Sequence, residues 1–187
     1  MPVDTASITH AVQVLRRGGV IAYPTEAVFG LGCDPQNAIA VQGVLDLKQR
    51  RADQGLLLIA ADFAQIAPYI ADDCSASALE NAQASWPGPY TWVFPASERA
   101  PNWIVGNQRG IALRVTAHPV AAALCRAFES PLVSTSANRH GVDPAITASE
   151  VEREFGALLD AIVTGEVGES KSPTTIRDAV SGEWLRR

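Results

Sequence analysis

Five apolar residues in a row, Leu56-Leu57-Leu58-Ile59-Ala60, follow Gly55. A run of this length without alternation reads as a strand covered on both faces, which places it inside a layered domain. The segments around it supply the layers. A helix is expected over about 5–17, capped by Asp4 or Thr5, with Ile8, Ala11, Val12 and Leu15 on one face. Gly18-Gly19 ends it, and Val20–Tyr23 reads as a short buried strand. Further helices are expected from Ala38 to Lys48, over Ser75–Ser85, from Pro119 onward, and from Thr147 to Phe155, where Thr147 and Glu150 form a capping-box pair. Thr91–Phe94, Ile111–Val115, Leu132–Ser134 and Thr174–Arg177 read as strands, the last of them closing the sheet, and Trp86-Pro87-Gly88-Pro89 as a turn. Strands and helices alternate through several short connections. The reading is therefore one α/β (α+β) domain over 1–187, with a mixed sheet rather than a purely doubly wound one.

Bulk properties narrow the function. With 47% hydrophobic and 19% charged residues the chain is neither disordered nor repetitive. A net charge of −5 speaks against a dedicated nucleic-acid binder, although a local basic groove is compatible with it. Cys33, Cys74 and Cys125 are scattered and odd in number, so they suggest buried thiols in a reducing compartment rather than a zinc site or disulfide framework. The N-terminus lacks the pattern of a signal peptide, and no apolar run reaches membrane-spanning length. A cytoplasmic protein is expected.

Three clusters carry chemistry. Val41, Val44, Leu45 and Lys48 share a helical stripe, so the Lys48 stem follows the apolar side and its ammonium emerges at the edge. Residues i and i+2 on a continuing helix point about 200° apart, so Lys48 and Arg50 converge only if the helix stops between them. In Val133-Ser134-Thr135-Ser136-Ala137-Asn138, period two puts Ser134, Ser136 and Asn138 on one side, a polar row suited to phosphate or carboxylate oxygens. Arg114 lies opposite the apolar face formed by Ile111, Leu113 and Val115. The run 23–32, YPTEAVFGLG, lies upstream of all of these. Its glycines satisfy neither the dinucleotide nor the P-loop pattern, and read as allowing a tight backbone path at a cavity rim. Cations, hydroxyls and an amide, with no metal cluster or nucleophile triad, suit the holding of a polyphosphate beside a small polar substrate. His10, His118 and His140 sit in no recognisable pairing, and His118 reads as a helix-start residue.

Together these runs resemble the YrdC/TsaC family, the threonylcarbamoyl-AMP synthases of tRNA modification. The matching pieces are YPTEAVFGLGCDP at 23–35, KQR at 48–50, GLLLIA at 55–60, WPGPYTWVFPA at 86–96, ALRVTAHP at 112–119, PLVSTSAN at 131–138 and TTIRDAVSGE at 174–183. They span nearly the whole chain, in order. The resemblance implies a single twisted mixed sheet flanked by helices with a concave ligand cavity. It implies a nucleotidyltransferase of the short, bacterial form, joining L-threonine, bicarbonate and ATP into threonylcarbamoyl-AMP and releasing pyrophosphate. The product would pass to a separate tRNA threonylcarbamoyl transferase machinery that modifies an adenosine next to the anticodon.

Carried onto this sequence, Lys48, Arg50, Ser136 and Asn138 are the expected catalytic residues. Thr25, Thr91, Arg114, Ser134 and Thr174 are the expected substrate-binding ones, with Arg114 near the threonine carboxylate. No protein metal ligand is expected, and Mg2+ would accompany ATP through the phosphates. The chain departs from the family pattern at Ala27, where many members have threonine, at Arg51, where proline is usual, and at Thr174, where many have serine. A rival reading is a factor that binds structured RNA, with contact from Arg16, Arg17, Arg51, Arg109 and Arg139.

Overall fold

Three local signals start helices that frame the sheet. The Asp4 carboxylate accepts from the Ala6 N–H (3.1 Å) and opens α1 (Thr5–Arg16). Asn37 does the same for the N–H groups of Ile39 and Ala40 at the start of α2 (Ala38–Lys48), after β1 (Ile21–Pro24) and β2 (Phe29–Gly32). The chain continues through β3 (Leu57–Ala60), α3 (Phe63–Ile66), α4 (Ala76–Ser85), β4 (Tyr90–Pro95), α5 (Asn102–Val105) and β5 (Gly110–Val115). Then follow α6 (Pro119–Phe128), β6 (Leu132–Ser136), α7 (Ala148–Phe155), β7 (Ala161–Ile162), β8 (Thr175–Asp178) and β9 (Trp184–Arg186). Both halves of the expected capping box are made at the start of α7, by Thr147 and Glu150. This computed structural model describes residues 3–108, 110–139, 141–170 and 174–186; His140 and Arg109 fall outside them.

Among the described residues the strands form one mixed sheet in the order β7-β1-β2-β6-β3-β5-β4-β8-β9. Pairs β1/β7, β3/β5 and β4/β8 are parallel and the others antiparallel. Leu58 faces Leu113 on one side and Val133 on the other, as expected for the apolar run at the sheet's centre.

Partners across a ladder share a face, and this divides the sheet's work. Leu31, Leu58, Leu113, Val133, Trp92, Phe94 and Ile111 join α2, α4, α5 and α7 in the larger core. Each fully buried Leu or Ile there contributes about 1.5–3 kcal/mol relative to exposure. The opposite face is covered only at one end. Ile21, Tyr23, Ile59 and Leu132 are packed there under α1 and α6 in a second core. Further along that face the registers align Gly30 with Ser136, Ser134 with Leu57 and Ala112, Val93 with Ala112, and Thr91 with Ile176 and then Arg186. Among the described residues no helix covers these positions. They line a cavity of about 540 Å³.

Three strands differ from the sequence reading, and the four-residue helices α3 and α5 were not expected either. Phe29–Gly32 is a paired strand rather than a free rim loop. Its Gly32 is required by close approach: a Cβ there would lie 2.5 Å from the Val133 carbonyl. β7 is an unanticipated two-residue strand. The expected last strand is β8, and β9 follows it at the edge of the sheet. That hairpin return needs only Gly182 at positive φ, and its short edge strand has little apolar patterning to betray it.

Candidate functional site

α2 stops between the two cations. Gln49 takes left-handed backbone (φ 51°), turning the chain so that Lys48 and Arg50 both line the cavity although residue 51 is arginine. Lys48 is 8% exposed, and its ammonium donates to Ser136 O (2.7 Å), Asn138 O (2.9 Å) and Asn138 Oδ1 (2.7 Å), with Ser136 Oγ at 3.3 Å. Three N–H groups therefore meet three close oxygens. Burial, and then the neighbouring Arg50 charge, push the Lys48 pKa down to about 8. Arg50 donates through Nη2 to Gly55 O (2.7 Å) and Gln54 O (3.4 Å), while its Nε has no partner; burial lowers its pKa.

At the end of β6, Ser134, Thr135 and Ser136 line the cavity. Asn138 does not. Its Oδ1 accepts from Lys48 and from Ser136 Oγ (2.6 Å), and its Nδ2 donates to Arg139 O (3.2 Å) and Val142 O (2.7 Å). Asn138 thus holds the lysine and the loop instead of facing the cavity. Thr25 lines the cavity and donates to Val28 O (2.7 Å). Thr91 is 2% exposed, with an Oγ1 that meets no partner.

Arg114 lies at the boundary between the second core and the cavity, facing Ile59 in the register. It is 4% exposed, its Nε is unpartnered, and its ion pair to Glu26 Oε2 spans 3.9 Å, outside hydrogen-bond reach. A buried guanidinium Nε without a partner on the wall of a cavity suits the binding of an oxygen-rich ligand. Thr174 lines the cavity too, and its carbonyl accepts from Arg186 Nε (2.9 Å) and Nη2 (2.6 Å).

Arg186 was not anticipated. It also lines the cavity, and burial followed by the Arg114 charge lowers its pKa. Among the described residues the cavity thus has four cationic side chains, Lys48, Arg50, Arg114 and Arg186, and no Asp or Glu lines it. A chain of net charge −5 has concentrated positive potential in one pocket, a field suited to a polyanion. Glu26 was also missed. The available signal was a carboxylate beside the apolar run Ala27-Val28-Phe29, where burial demands a partner. Arg16, Arg17, Arg51 and Arg139 do not line the cavity; Arg16 pairs with Glu129, Arg51 with Asp53 and Arg139 with Glu154. His118 is the residue before α6, with Nε2 3.0 Å from Glu166 O.

The Sua5_yciO_yrdC family model, described as telomere recombination, matches residues 13–187. The chain belongs to this family. It is 57% identical over 180 residues to a protein of Halorhodospira halophila named threonylcarbamoyl-AMP synthase, covering 96% of this chain and 94% of that one. Among solved structures, P. abyssi Sua5 complexed with L-threonine is similar at TM-score 0.88 and 31% identity, over 95% of this chain and 52% of that chain. The present chain therefore spans about half the length of that protein. E. coli YciO is similar at TM-score 0.84 and 26% identity, over 98% of this chain and 92% of that one. Among the described residues no helix is long and apolar enough to cross a membrane.

Proposed function

We propose that this chain is a threonylcarbamoyl-AMP synthase, a nucleotidyltransferase that makes threonylcarbamoyl-AMP and pyrophosphate from L-threonine, bicarbonate and ATP. The observation that carries the proposal is a cavity lined, among the described residues, by four cations and no carboxylate, one of the cations a buried arginine whose Nε lacks a hydrogen-bond partner. The names of near-full-length relatives support the same reading.

In this reaction the threonine amine adds to the carbon of bicarbonate or its carbon dioxide, losing a proton and, from bicarbonate, hydroxide. The carbamate oxygen then attacks the α-phosphorus. The bond from that phosphorus to the bridging oxygen breaks, and pyrophosphate leaves with the electron pair. No covalent enzyme intermediate is needed, so the protein's contribution is orientation and charge stabilisation. Arg114 takes the threonine carboxylate in a two-pronged contact. Arg50 and Arg186 meet phosphate oxygens, and Lys48 adds a fixed charge at the rim. Ser134, Ser136, Thr25, Thr91 and Thr174 supply short polar contacts around the substrates. Asn138 acts through Lys48, as a positioning residue.

The lining offers no carboxylate to Mg2+ among the described residues, so no step is assigned to the metal. On this reading the product passes to a tRNA threonylcarbamoyl transferase machinery, and the enzyme works in the cytoplasm with its substrates. The test is pyrophosphate release with mass-spectrometric detection of the adenylate. Release should require both L-threonine and bicarbonate; release without them, or none with both, overturns the proposal.

A further inference from the structure

Arg114 is accompanied by a buried carboxylate that the reaction above leaves unused. We propose that Glu26 is a positioning residue for Arg114, setting the guanidinium to receive the amino-acid carboxylate; this rests on the role given to Arg114 above.

Glu26 is 7% exposed and clamped from three sides. Its Oε1 accepts from Thr116 Oγ1 (2.6 Å) and from the Ala117 N–H (3.2 Å). Its carbonyl accepts from Ser170 N (3.1 Å), while Gly168 N donates to Thr25 O (2.9 Å). Gly168 fits only because it lacks a side chain, since a Cβ would lie 2.7 Å from the Glu26 carbonyl. The remaining oxygen, Oε2, has no hydrogen bond and faces Arg114 Nη2 at 3.9 Å.

This arrangement references Arg114 to its own strand. Thr116 lies two residues beyond Arg114, so β5's continuation holds Glu26 and Glu26 in turn faces the arginine. The same carboxylate ties the Thr25 segment to β5, fixing two cavity-lining residues relative to each other. The 3.9 Å gap matters. A tight bidentate pair would consume the guanidinium's fork, whereas this separation balances the charge and leaves the fork for a ligand. Without Glu26's charge, Arg114 is a buried cation with no counter-ion among the described residues, facing repulsion from Arg186 on the same cavity. It then leaves its position.

The experiment begins with the wild-type assay; failure there sinks the proposed function itself. Glu26→Gln retains the bonds from Thr116 and Ala117 but removes the charge. Its KM for L-threonine should rise about 10-fold, with KM for ATP within about twofold and kcat little changed. Calorimetric binding of L-threonine should weaken by the same factor, and Glu26→Asp should recover part of the loss. Unchanged or tighter threonine binding in folded Glu26→Gln overturns the proposal, as does an equal rise in both KM values. Should circular dichroism show Glu26→Gln unfolded, Thr116→Val decides: the same threonine-selective shift, though smaller, supports the role, and no shift refutes it.

Discussion

Two parts of the cavity lining treat their buried cations in opposite ways. In one, Lys48 is saturated by oxygens of Ser136 and Asn138, tying the end of α2 to the end of β6. In the other, among the described residues, Arg114 meets only Glu26 at 3.9 Å, with Nε unpartnered. The first is built to exist without ligand; the second is completed by one. A site can thus divide its labour between a self-sufficient rim that preserves shape and an unsatisfied wall that recognises.

The sharpest way to break this comparison is Lys48→Ala. Removing the charge should lower adenylate formation roughly 100- to 1000-fold. It also takes a donor from three oxygens, of which Asn138 Oδ1 keeps Ser136 Oγ and Ser136 O keeps the Asn138 N–H; after the ammonium's own burial cost is subtracted, the loss is on the order of 2 kcal/mol, or about 4–8 °C in Tm. Arg50→Ala should match the kinetic loss with a smaller fall in Tm. Arg114→Lys should cost roughly 30- to 100-fold in rate, because an ammonium cannot make the two-pronged contact. It keeps a positive charge beside Glu26, so Tm should stay within about 2 °C. Equal destabilisation by Lys48→Ala and Arg114→Lys in calorimetry would erase the distinction.

A pH series sharpens it further. Lys48 has a pKa near 8 in the folded protein against an ordinary 10.5. Between those values the unfolded chain keeps a proton that the folded chain has released, so this group's contribution to stability rises with pH across the window. The rim's charge disappears over the same window. The rate should therefore fall above about pH 8 while Lys48 itself adds no alkaline loss of stability; a rate level to pH 10 contradicts it. Smallest of all is Arg51→Ala. Its exposed pair with Asp53 should be worth at most about 0.5 kcal/mol, with turnover unaltered within about twofold.

Much of the fold could be read from local signals. The Thr147–Glu150 box, Pro119 at a helix start and the unbroken run at 56–60 are each decided within a few residues. The stripe Val41, Val44, Leu45 and Lys48 is buried as its spacing implies. What escaped depends on distant partners. β2 reads as a tight backbone path at a cavity rim because Gly30 and Gly32 weaken strand propensity, while the reason for Gly32 is a carbonyl a hundred residues away. Asn138 shares a period with Ser134 and Ser136, yet the strand ends at Ser136 and the period no longer governs its direction. Arg186 reaches the cavity only because a hairpin return aligns it with Ile176, which a single sequence does not reveal.

That last feature has a dynamic corollary. β9 is three residues long, exposed, and paired along one side only, so it belongs to the least protected part of the sheet in amide exchange. A ligand that engages Arg186 couples its own occupancy to the closing of this margin. Slower exchange at 184–186 on adding pyrophosphate would make the outermost strand a reporter of a filled pocket.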